Sequence, residues 1–189
     1  MKRLSALAFI LFFAFSHAQI SEFEKADSRY ERKKKALYKK YPKPNDLKTK
    51  QEWLITEEKI SAYKNALEKI SEEEKKTIKD VPPPIAPKIT KEAEYETGKA
   101  SFQKLLNDAV DLSFLNFAVN PYKITLKFTL DSKGNAYHVK VKGNNEDVNA
   151  FIEAGFYRIR DKGKWRPAES NGRPVLSVVN LPLQLNFSK

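Results

Sequence analysis

The amino-acid sequence predicts an α+β fold: a small three-stranded antiparallel sheet with two helices on one face, preceded by an α-helical hairpin and a Pro-rich linker. Three observations predict this fold. Residues 19–80 lack Gly and are rich in Lys, Glu, Tyr and Ala, a composition that favours helix. Residues 81–97 open with a run of prolines, which favours an extended spacer. Residues 98–189 change between helical and strand-like apolar spacings in the order helix, strand, strand, helix, strand.

The N-terminus has the features of a secretory signal peptide. Met1-Lys2-Arg3 precedes an apolar run from Leu4 to Phe15, and small residues stand at the −3 and −1 positions of a cleavage site after Ala18. The run is shorter than the roughly 20 apolar residues of a membrane span. We therefore predict that residues 1–18 are removed and that the mature protein is periplasmic or secreted. The alternative is a retained segment that anchors the chain in the inner membrane, facing the periplasm.

The composition excludes several kinds of functional site. The 189 residues contain no Cys, which excludes disulfides, thiolate nucleophiles and Cys-based metal sites. His17 falls in the predicted signal peptide, so a metal site of several His residues cannot be built around His138. The sequence contains no Gly-rich phosphate loop, GxSxG motif or HExxH motif. We therefore predict that the protein is not an enzyme and has no cofactor, metal or small-molecule substrate.

The net charge of +11 suggests nucleic-acid binding as a further function class. Lys and Arg number 35 against 24 Asp and Glu, and the excess is concentrated in residues 20–50, where 11 basic residues stand against 5 acidic ones. Export would separate the chain from most nucleic acid. We predict no nucleic-acid partner, and a basic structural or adaptor protein of the cell envelope stays an alternative.

Two narrow apolar stripes predict a helical hairpin or coiled coil in residues 19–80. The first helix is expected to end by Tyr41, before Pro42. Thr49 and Glu52 have the spacing of a capping box at the start of a second helix. Because neither helix can bury its apolar face alone, the two pack as a hairpin within the chain or pair between two chains of a homodimer. The stripes consist of Phe23, Ala26, Tyr30, Leu37 and Tyr41 in the first helix and Trp53, Ile60, Tyr63, Leu67 and Ile70 in the second.

The predicted sheet begins after a helix expected over Ser101–Leu115. Strict alternation of apolar and polar residues predicts a strand over Tyr122–Leu130 with one exposed face. Gly134 supplies the turn to a second strand. The residues expected on the buried face of that second strand are Tyr137, Val139 and Val141.

The remaining elements are a helix from about Glu146, which Gly163 is expected to terminate, and a last strand from Val175 to Phe187. Trp165 is expected to close the end of the core rather than to stack on a ligand. His138 falls on the polar side of its strand, where it is expected to be solvated.

Three segments within residues 98–187 resemble the TonB C-terminal domain family. Asp131-Ser-Lys-Gly134 joins two alternating strands, as does the V-x-F-x-V-D-x-x-G hairpin of that family. Lys164-Trp-Arg-Pro-Ala-Glu-Ser-Asn-Gly-Arg-Pro-Val175 is similar to its W-x-P-A/G…N/G-G-K/R-P-V segment. Leu181-Pro-Leu-Gln-Leu-Asn-Phe187 is similar to its last strand, which closes in P-I/L-x-F. The combination of the last two segments is the most specific part of the resemblance.

The resemblance implies a periplasmic domain that accepts a short extended peptide at a sheet edge. The partner implied is a protein, an outer-membrane transporter or an extended segment of it, with a link to TonB-dependent transport. Energy transducers of the family keep an N-terminal membrane helix, so the predicted cleavage indicates a TonB-like binding or adaptor protein. An anchored energy transducer is the alternative if the N-terminal segment is retained.

The last strand is the predicted binding edge, following the family. An edge strand offers unpaired N–H and C=O groups to which a partner can add a strand. Pro182 lacks an N–H, which suits an edge strand better than a central one. We predict that four residues that alternate with the core positions flank the incoming strand, namely Leu176, Val178, Asn180 and Gln184.

Overall fold

The structure, a computed structural model, describes residues 2–77, 88–115 and 120–187, with side chains from residue 21 onward. The predicted signal peptide lies outside the described side chains, and its cleavage stays a prediction. In the part of the chain that the structure describes, no helix combines the length and the apolar character needed to cross a membrane.

The first of two compact units, Met1–Ile70, contains two antiparallel helices. Helix α1 spans Lys2–Lys40, and helix α2 spans Asp46–Thr77, so that the end of α2 belongs to the second unit. α1 ends one residue before Tyr41, the residue that precedes a proline, as the sequence predicts.

The start of α2 differs from the prediction. The Oδ1 atom of Asn45 accepts the backbone N–H of Lys48 at 2.8 Å, which makes Asn45 the N-cap of the helix. The predicted capping box of Thr49 and Glu52 is therefore wrong, because Thr49 already lies in the first turn, where its backbone N–H donates to the carbonyl of Asn45.

Most of the apolar stripes of α1 and α2 are buried within the chain, but the prediction that Trp53 belongs to the buried stripe is wrong, because its side chain is 59% exposed. The rings of Phe23 and Tyr63 pack at a centroid distance of 5.1 Å. The hydroxyl of Tyr63 donates to Oδ1 of Asp27 at 2.7 Å, and Lys59 Nζ lies 3.0 Å from the same oxygen.

Phe23 of α1 contacts Tyr63 of α2, and Lys33, further along α1, contacts Glu58, which lies earlier in α2. The two helices are therefore antiparallel, as in a hairpin. Pairing between two chains stays a prediction.

The second unit, Ser71–Lys189, is built around a three-stranded antiparallel sheet. The predicted α+β class and the three-stranded antiparallel sheet are therefore confirmed. The strand order is β3-β2-β7, and two short ribbons, β1-β4 and β5-β6, accompany the sheet. The elements of this unit are β1 (Glu94–Tyr95), α3 (Lys99–Asp108), β2 (Tyr122–Leu130), β3 (Ala136–Lys142), α4 (Glu146–Ile159), β4 (Trp165–Arg166), β5 (Ala168–Ser170), β6 (Arg173–Val175) and β7 (Ser177–Leu185).

The core of this unit lies between one face of the sheet and the helices α3 and α4. Buried and exposed residues alternate strictly along most of β2, as predicted. Five aromatic side chains from different elements pack in a continuous cluster, with ring centroids about 5 to 6 Å apart. Trp165 belongs to this cluster and is buried, as expected for a core residue. The cluster consists of Tyr95, Phe102, Phe128, Phe156 and Trp165.

The predicted Pro-rich linker is described only in its second half, since residues 81–87 lie outside the described residues. Residues 88–97 do not form a spacer. The backbone N–H of Thr90 donates to the carbonyl of Glu169 at 2.8 Å, and Lys91 pairs with the same residue. Further along, β1 pairs with β4. Because the backbone donors that follow the prolines find partners in β4 and β5, this segment joins the folded unit.

The last strand is shorter than predicted. β6 ends at Val175 and β7 begins at Ser177, with Leu176 between them. After the turn at Asn171 and Gly172, which have positive φ values of 50° and 75°, β6 pairs with β5, whereas β7 pairs with β2. The prediction of one continuous strand from Val175 is therefore wrong.

Both helices of this unit end before their predicted termini. α3 ends at Asp108 rather than Leu115, and α4 ends at Ile159, so Gly163 does not terminate it. A Cβ atom at Gly163 would collide with the hydroxyl of Tyr95. Gly163 is therefore needed for close packing against Tyr95 rather than for a helix cap.

Candidate peptide-binding edge

The free side of β7 is the candidate functional site. β7 pairs with β2 along its whole length and is an outer strand of the sheet. Backbone groups of successive residues in a strand point to opposite sides. The carbonyl of Gln184 and both backbone groups of Asn186 point away from β2, toward α3. The same alternation directs the backbone groups of Val178, Asn180 and Pro182 to the free side.

The C-terminal end of this edge is capped by two side chains of α3. Nε2 of Gln103 donates to the carbonyl of Gln184 at 2.7 Å. Asn107 bonds to both backbone groups of Asn186, its Nδ2 donating to the carbonyl and its Oδ1 accepting the N–H, each at 2.8 Å. An amide side chain has the same donor and acceptor groups as a peptide bond, so Gln103 and Asn107 occupy places that a partner strand would take.

The preceding stretch of the edge is open. Within the described ranges, no residue bonds to the outward backbone groups of Val178, Asn180 or Pro182. Val178 is one of the few large apolar side chains that are mostly exposed, at 53%. The stretch is about 13 Å long at a strand rise of about 3.3 Å per residue. It offers the N–H groups of Val178 and Asn180 and the carbonyls of Val178, Asn180 and Pro182. Pro182 contributes only a carbonyl, because proline has no backbone N–H.

The opposite edge of the sheet, on β3, is closed by the protein's own side chains. The Oε1 atom of Glu153 accepts the backbone N–H of Val141 at 2.8 Å. The amide of Asn149 donates to the carbonyl of Gly143 at 3.2 Å. Both side chains come from α4 and are buried. The two edges therefore differ: buried groups occupy β3, whereas part of β7 is accessible.

The closed edge also contains a β-bulge at His138. His138 and Val139 together oppose Phe128 of β2, and His138 has a positive φ of 52°. Its backbone N–H donates to Oε2 of Glu74, near the end of α2, at 2.7 Å. The expectation of a regular strand at His138 is therefore wrong, whereas its side chain is 33% exposed, with Nδ1 3.8 Å from Oε2 of Glu74.

The carboxylate of Glu74 has several partners. The hydroxyl of Tyr157 donates to Oε2 at 3.1 Å, and a guanidinium nitrogen of Arg160 lies 3.3 Å from Oε1. Burial raises the pKa of Glu74, opposed mainly by the bond from the His138 backbone and by the charge of Arg160. Burial and the negative charge of Glu74 raise the pKa of Tyr157. Through these bonds, the buried carboxylate of Glu74 connects the end of α2 to β3 and to the C-terminal end of α4.

A basic groove lies beside the C-terminal part of the β7 edge. It has a volume of about 800 Å³ and crosses the exposed face of the sheet toward the start of α3. Three lysines line it, namely Lys99 of α3, Lys123 of β2 and Lys142 of β3. Pro182 and Gln184 of β7 line the same groove, so it is continuous with the edge.

The four predicted edge residues have different positions. Val178 and Asn180 lie on the open stretch, and their side chains are exposed. Gln184 is also exposed, but its carbonyl is bound to Gln103. Leu176 lies outside β7, in the break after β6, and does not belong to the edge. Sequence alternation correctly finds the exposed positions of β7 but gives no signal for the capping by α3.

Comparisons of this chain with known proteins found no match. No protein-family model, no curated protein and no solved structure matches this chain. Among the described residues, no group of three or more His, Asp and Glu side chains is placed to hold a metal ion. The open edge and the basic groove offer hydrogen bonds and positive charge to a ligand.

Proposed function

We propose that this chain is a TonB-like exported protein that binds an extended segment of a partner protein by β-strand addition along β7. The observation that carries the proposal is the open stretch from Val178 to Pro182. Two outward N–H groups and three outward carbonyls lie there in a regular row on an accessible strand. An added strand would satisfy these groups with main-chain hydrogen bonds.

The two sheet edges support this choice of site. Glu153 and Asn149 bind β3 from buried positions, and displacing them would cost core contacts. On β7, the capping side chains Gln103 and Asn107 make exposed hydrogen bonds. A net contribution of about 1 kcal/mol for such a bond is small beside a strand of new main-chain bonds, so a partner can also displace these caps.

The partner we propose is an outer-membrane transporter, bound through an extended segment. This part of the proposal rests on the resemblance of the hairpin, the Trp165 segment and the last strand to the TonB C-terminal domain. Placement in the periplasm rests on the predicted signal peptide. Coupling to transport additionally requires an anchor, which only a retained N-terminal segment would supply.

The proposal is tested by NMR titration of the isotope-labelled mature chain with a panel of ten-residue peptides from such transporter segments. We expect the largest shifts in backbone resonances around Val178–Pro182. Shifts confined to β3 or to the helices, or no shift with any peptide, would contradict the proposal.

A pair of substitutions at Asn180 separates backbone pairing from side-chain contact. Asn180→Pro removes the outward N–H without removing a bond to β2, as Pro182 already does two residues later. We expect it to weaken peptide binding by roughly tenfold, the loss of one good hydrogen bond. Asn180→Ala keeps the N–H and should bind nearly as well as the unmodified chain. Equal binding by both variants would exclude strand addition at this position.

A further inference from the structure

The basic groove beside β7 is unusual in its charges. Lys99, Lys123 and Lys142 are exposed, and the lining contains no Asp or Glu. Within the described residues, none of these three lysines lies in an ion pair. The remaining polar groups of the lining are amides and a hydroxyl, which are suited to hold oxygen atoms of a ligand.

Several lysines elsewhere in the protein have acidic neighbours. Lys33 bonds to Glu58, and Lys59 lies 3.0 Å from Asp27. On the sheet itself, Lys140 lies 3.5 Å from Glu153. The groove differs from these places because three lysines line it together and no carboxylate does. Lys123 and Lys142 lie on the same sheet face in neighbouring strands, so a negative ligand would lower their mutual repulsion.

The groove lies where a strand added to β7 would arrive. Pro182 is the last residue of the open stretch and also lines the groove. A partner segment that pairs with Val178 and Asn180 and continues in the same direction reaches Lys99 and Lys123 next, at the point where Gln103 now caps Gln184. Alternate side chains of such a segment lie on the same exposed face of the sheet as Lys123 and Lys142, because side chains of neighbouring strands share a face.

We propose that the segment bound by β7 is acidic, with carboxylate side chains at the end that lies beside Pro182. This inference rests on the proposed function and adds the chemistry of the partner. The lysine ammonium groups select carboxylates, while the backbone of Val178–Pro182 binds the preceding residues irrespective of sequence. The same arrangement fixes the direction of the partner strand, because the reverse direction would place its acidic end away from the groove.

Three synthetic peptides test the inference on the labelled mature chain. Each has five alternating Val and Thr residues, and the tail is three Glu, three Gln or three Lys. We expect the Glu tail to bind roughly tenfold more tightly than the Gln tail at low salt, and the Lys tail to bind most weakly. Because exposed charges are screened, the advantage of the Glu tail should largely vanish at about 0.5 M salt.

Variants of the protein locate the effect. The triple variant Lys99→Gln, Lys123→Gln and Lys142→Gln should bind the Glu and Gln tails equally. Lys133→Gln is the matched control, since Lys133 is an exposed lysine in the turn at the other end of the β2–β3 hairpin. It should leave the preference for the Glu tail intact.

The outcomes distinguish the inference from the function on which it rests. If the Glu and Gln tails bind equally and both shift β7, the acidic partner is wrong and strand addition stands. If no tail shifts β7, the proposed function itself is overturned. If tetragalacturonate, an anionic sugar chain, shifts the groove as strongly as the Glu peptide, the groove binds a polyanion without a strand, and the acidic segment is rejected.

Discussion

The carboxylate of Glu74 accepts the backbone N–H of His138 at 2.7 Å, although the two residues are 64 positions apart in the chain. His138 is the bulged residue of β3 and has a positive φ, which residues other than Gly rarely adopt. A bulge leaves a backbone group unpaired in the ladder, and Glu74 supplies the missing acceptor. The end of α2 is thus part of the sheet unit, and it closes the edge that is not proposed for binding.

Removal of the Glu74 carboxylate should destabilise the sheet unit. Glu74→Ala leaves the N–H of His138 and the guanidinium of Arg160 without this acceptor in a buried environment. We expect a loss of about 3 kcal/mol in the free energy of unfolding, measured by urea denaturation. Glu68→Ala, at an exposed position on the same helix, is the control and should cost much less. Equal losses would contradict a special role of the bulge contact, because Ala is the better helix former and helix propensity cannot cause either loss.

The raised pKa of Glu74 predicts a pH dependence with a definite sign. Its folded pKa lies above 4.5, because burial disfavours the charged carboxylate. The folded state therefore binds this proton more tightly than the unfolded state does. The associated stability is full below the unfolded pKa and is lost as the pH rises through the folded pKa.

Glu74→Gln removes this proton and isolates its effect. The stability of the unmodified chain relative to Glu74→Gln should fall as the pH rises above 4.5 and through the folded pKa of Glu74, in urea denaturation at several pH values. Glu72→Gln provides a control of opposite sign, since its bond with Lys75 lowers the pKa of Glu72. There the relative stability should fall as the pH decreases. A flat difference for Glu74→Gln would contradict the burial of its charge.

The spacing of apolar residues along the sequence predicts the helices and strands of this fold better than it predicts the contacts between distant residues. β2 was predicted to the residue, because strict alternation over Tyr122–Leu130 needs no information from elsewhere in the chain. The bulge at His138 was missed, because it depends on Glu74 in a distant helix. One signal was present: Glu74 continues the spacing of Leu67 and Ile70, so a charged residue occupies an apolar position of the stripe.

The candidate site shows the same limit. The exposure of Val178 and Asn180 follows from the alternation of apolar and polar residues. The edge position of β7 is consistent with Pro182, which has no N–H for a further strand to bind. The capping of Gln184 by Gln103 could not be predicted, since it requires α3 to lie against that end of β7. The basic groove was missed for a similar reason, because its lysines come from three elements that are far apart in the sequence.

Trp165 should contribute to stability rather than to ligand binding. Its ring packs against Phe128 at a centroid distance of 4.9 Å and against Tyr95 at 5.2 Å. Trp165→Ala is expected to lower the free energy of unfolding by about 3–5 kcal/mol, measured by chemical denaturation. Trp53→Ala removes a Trp that is 59% exposed and should change it by less than about 1 kcal/mol. A small loss for Trp165→Ala would favour the alternative, in which Trp165 stacks on a ligand.

The cap on Asn186 can be tested by hydrogen exchange at one amide. Oδ1 of Asn107 accepts the N–H of Asn186, so Asn107→Ala should speed exchange of that N–H by about fivefold, for a bond of about 1 kcal/mol. Asn107→Asp keeps the acceptor and should keep most of the protection.

Gln103→Ala is a second control for this measurement, because Gln103 bonds to a carbonyl and not to the amide observed. It should leave exchange of the Asn186 N–H unchanged. If Asn107→Ala exchanges as slowly as the unmodified chain, Asn107 is not the group that occupies this end of β7. If the cap is confirmed, the same variant exposes two more backbone groups of the edge, and peptides long enough to reach Asn186 should bind it more tightly.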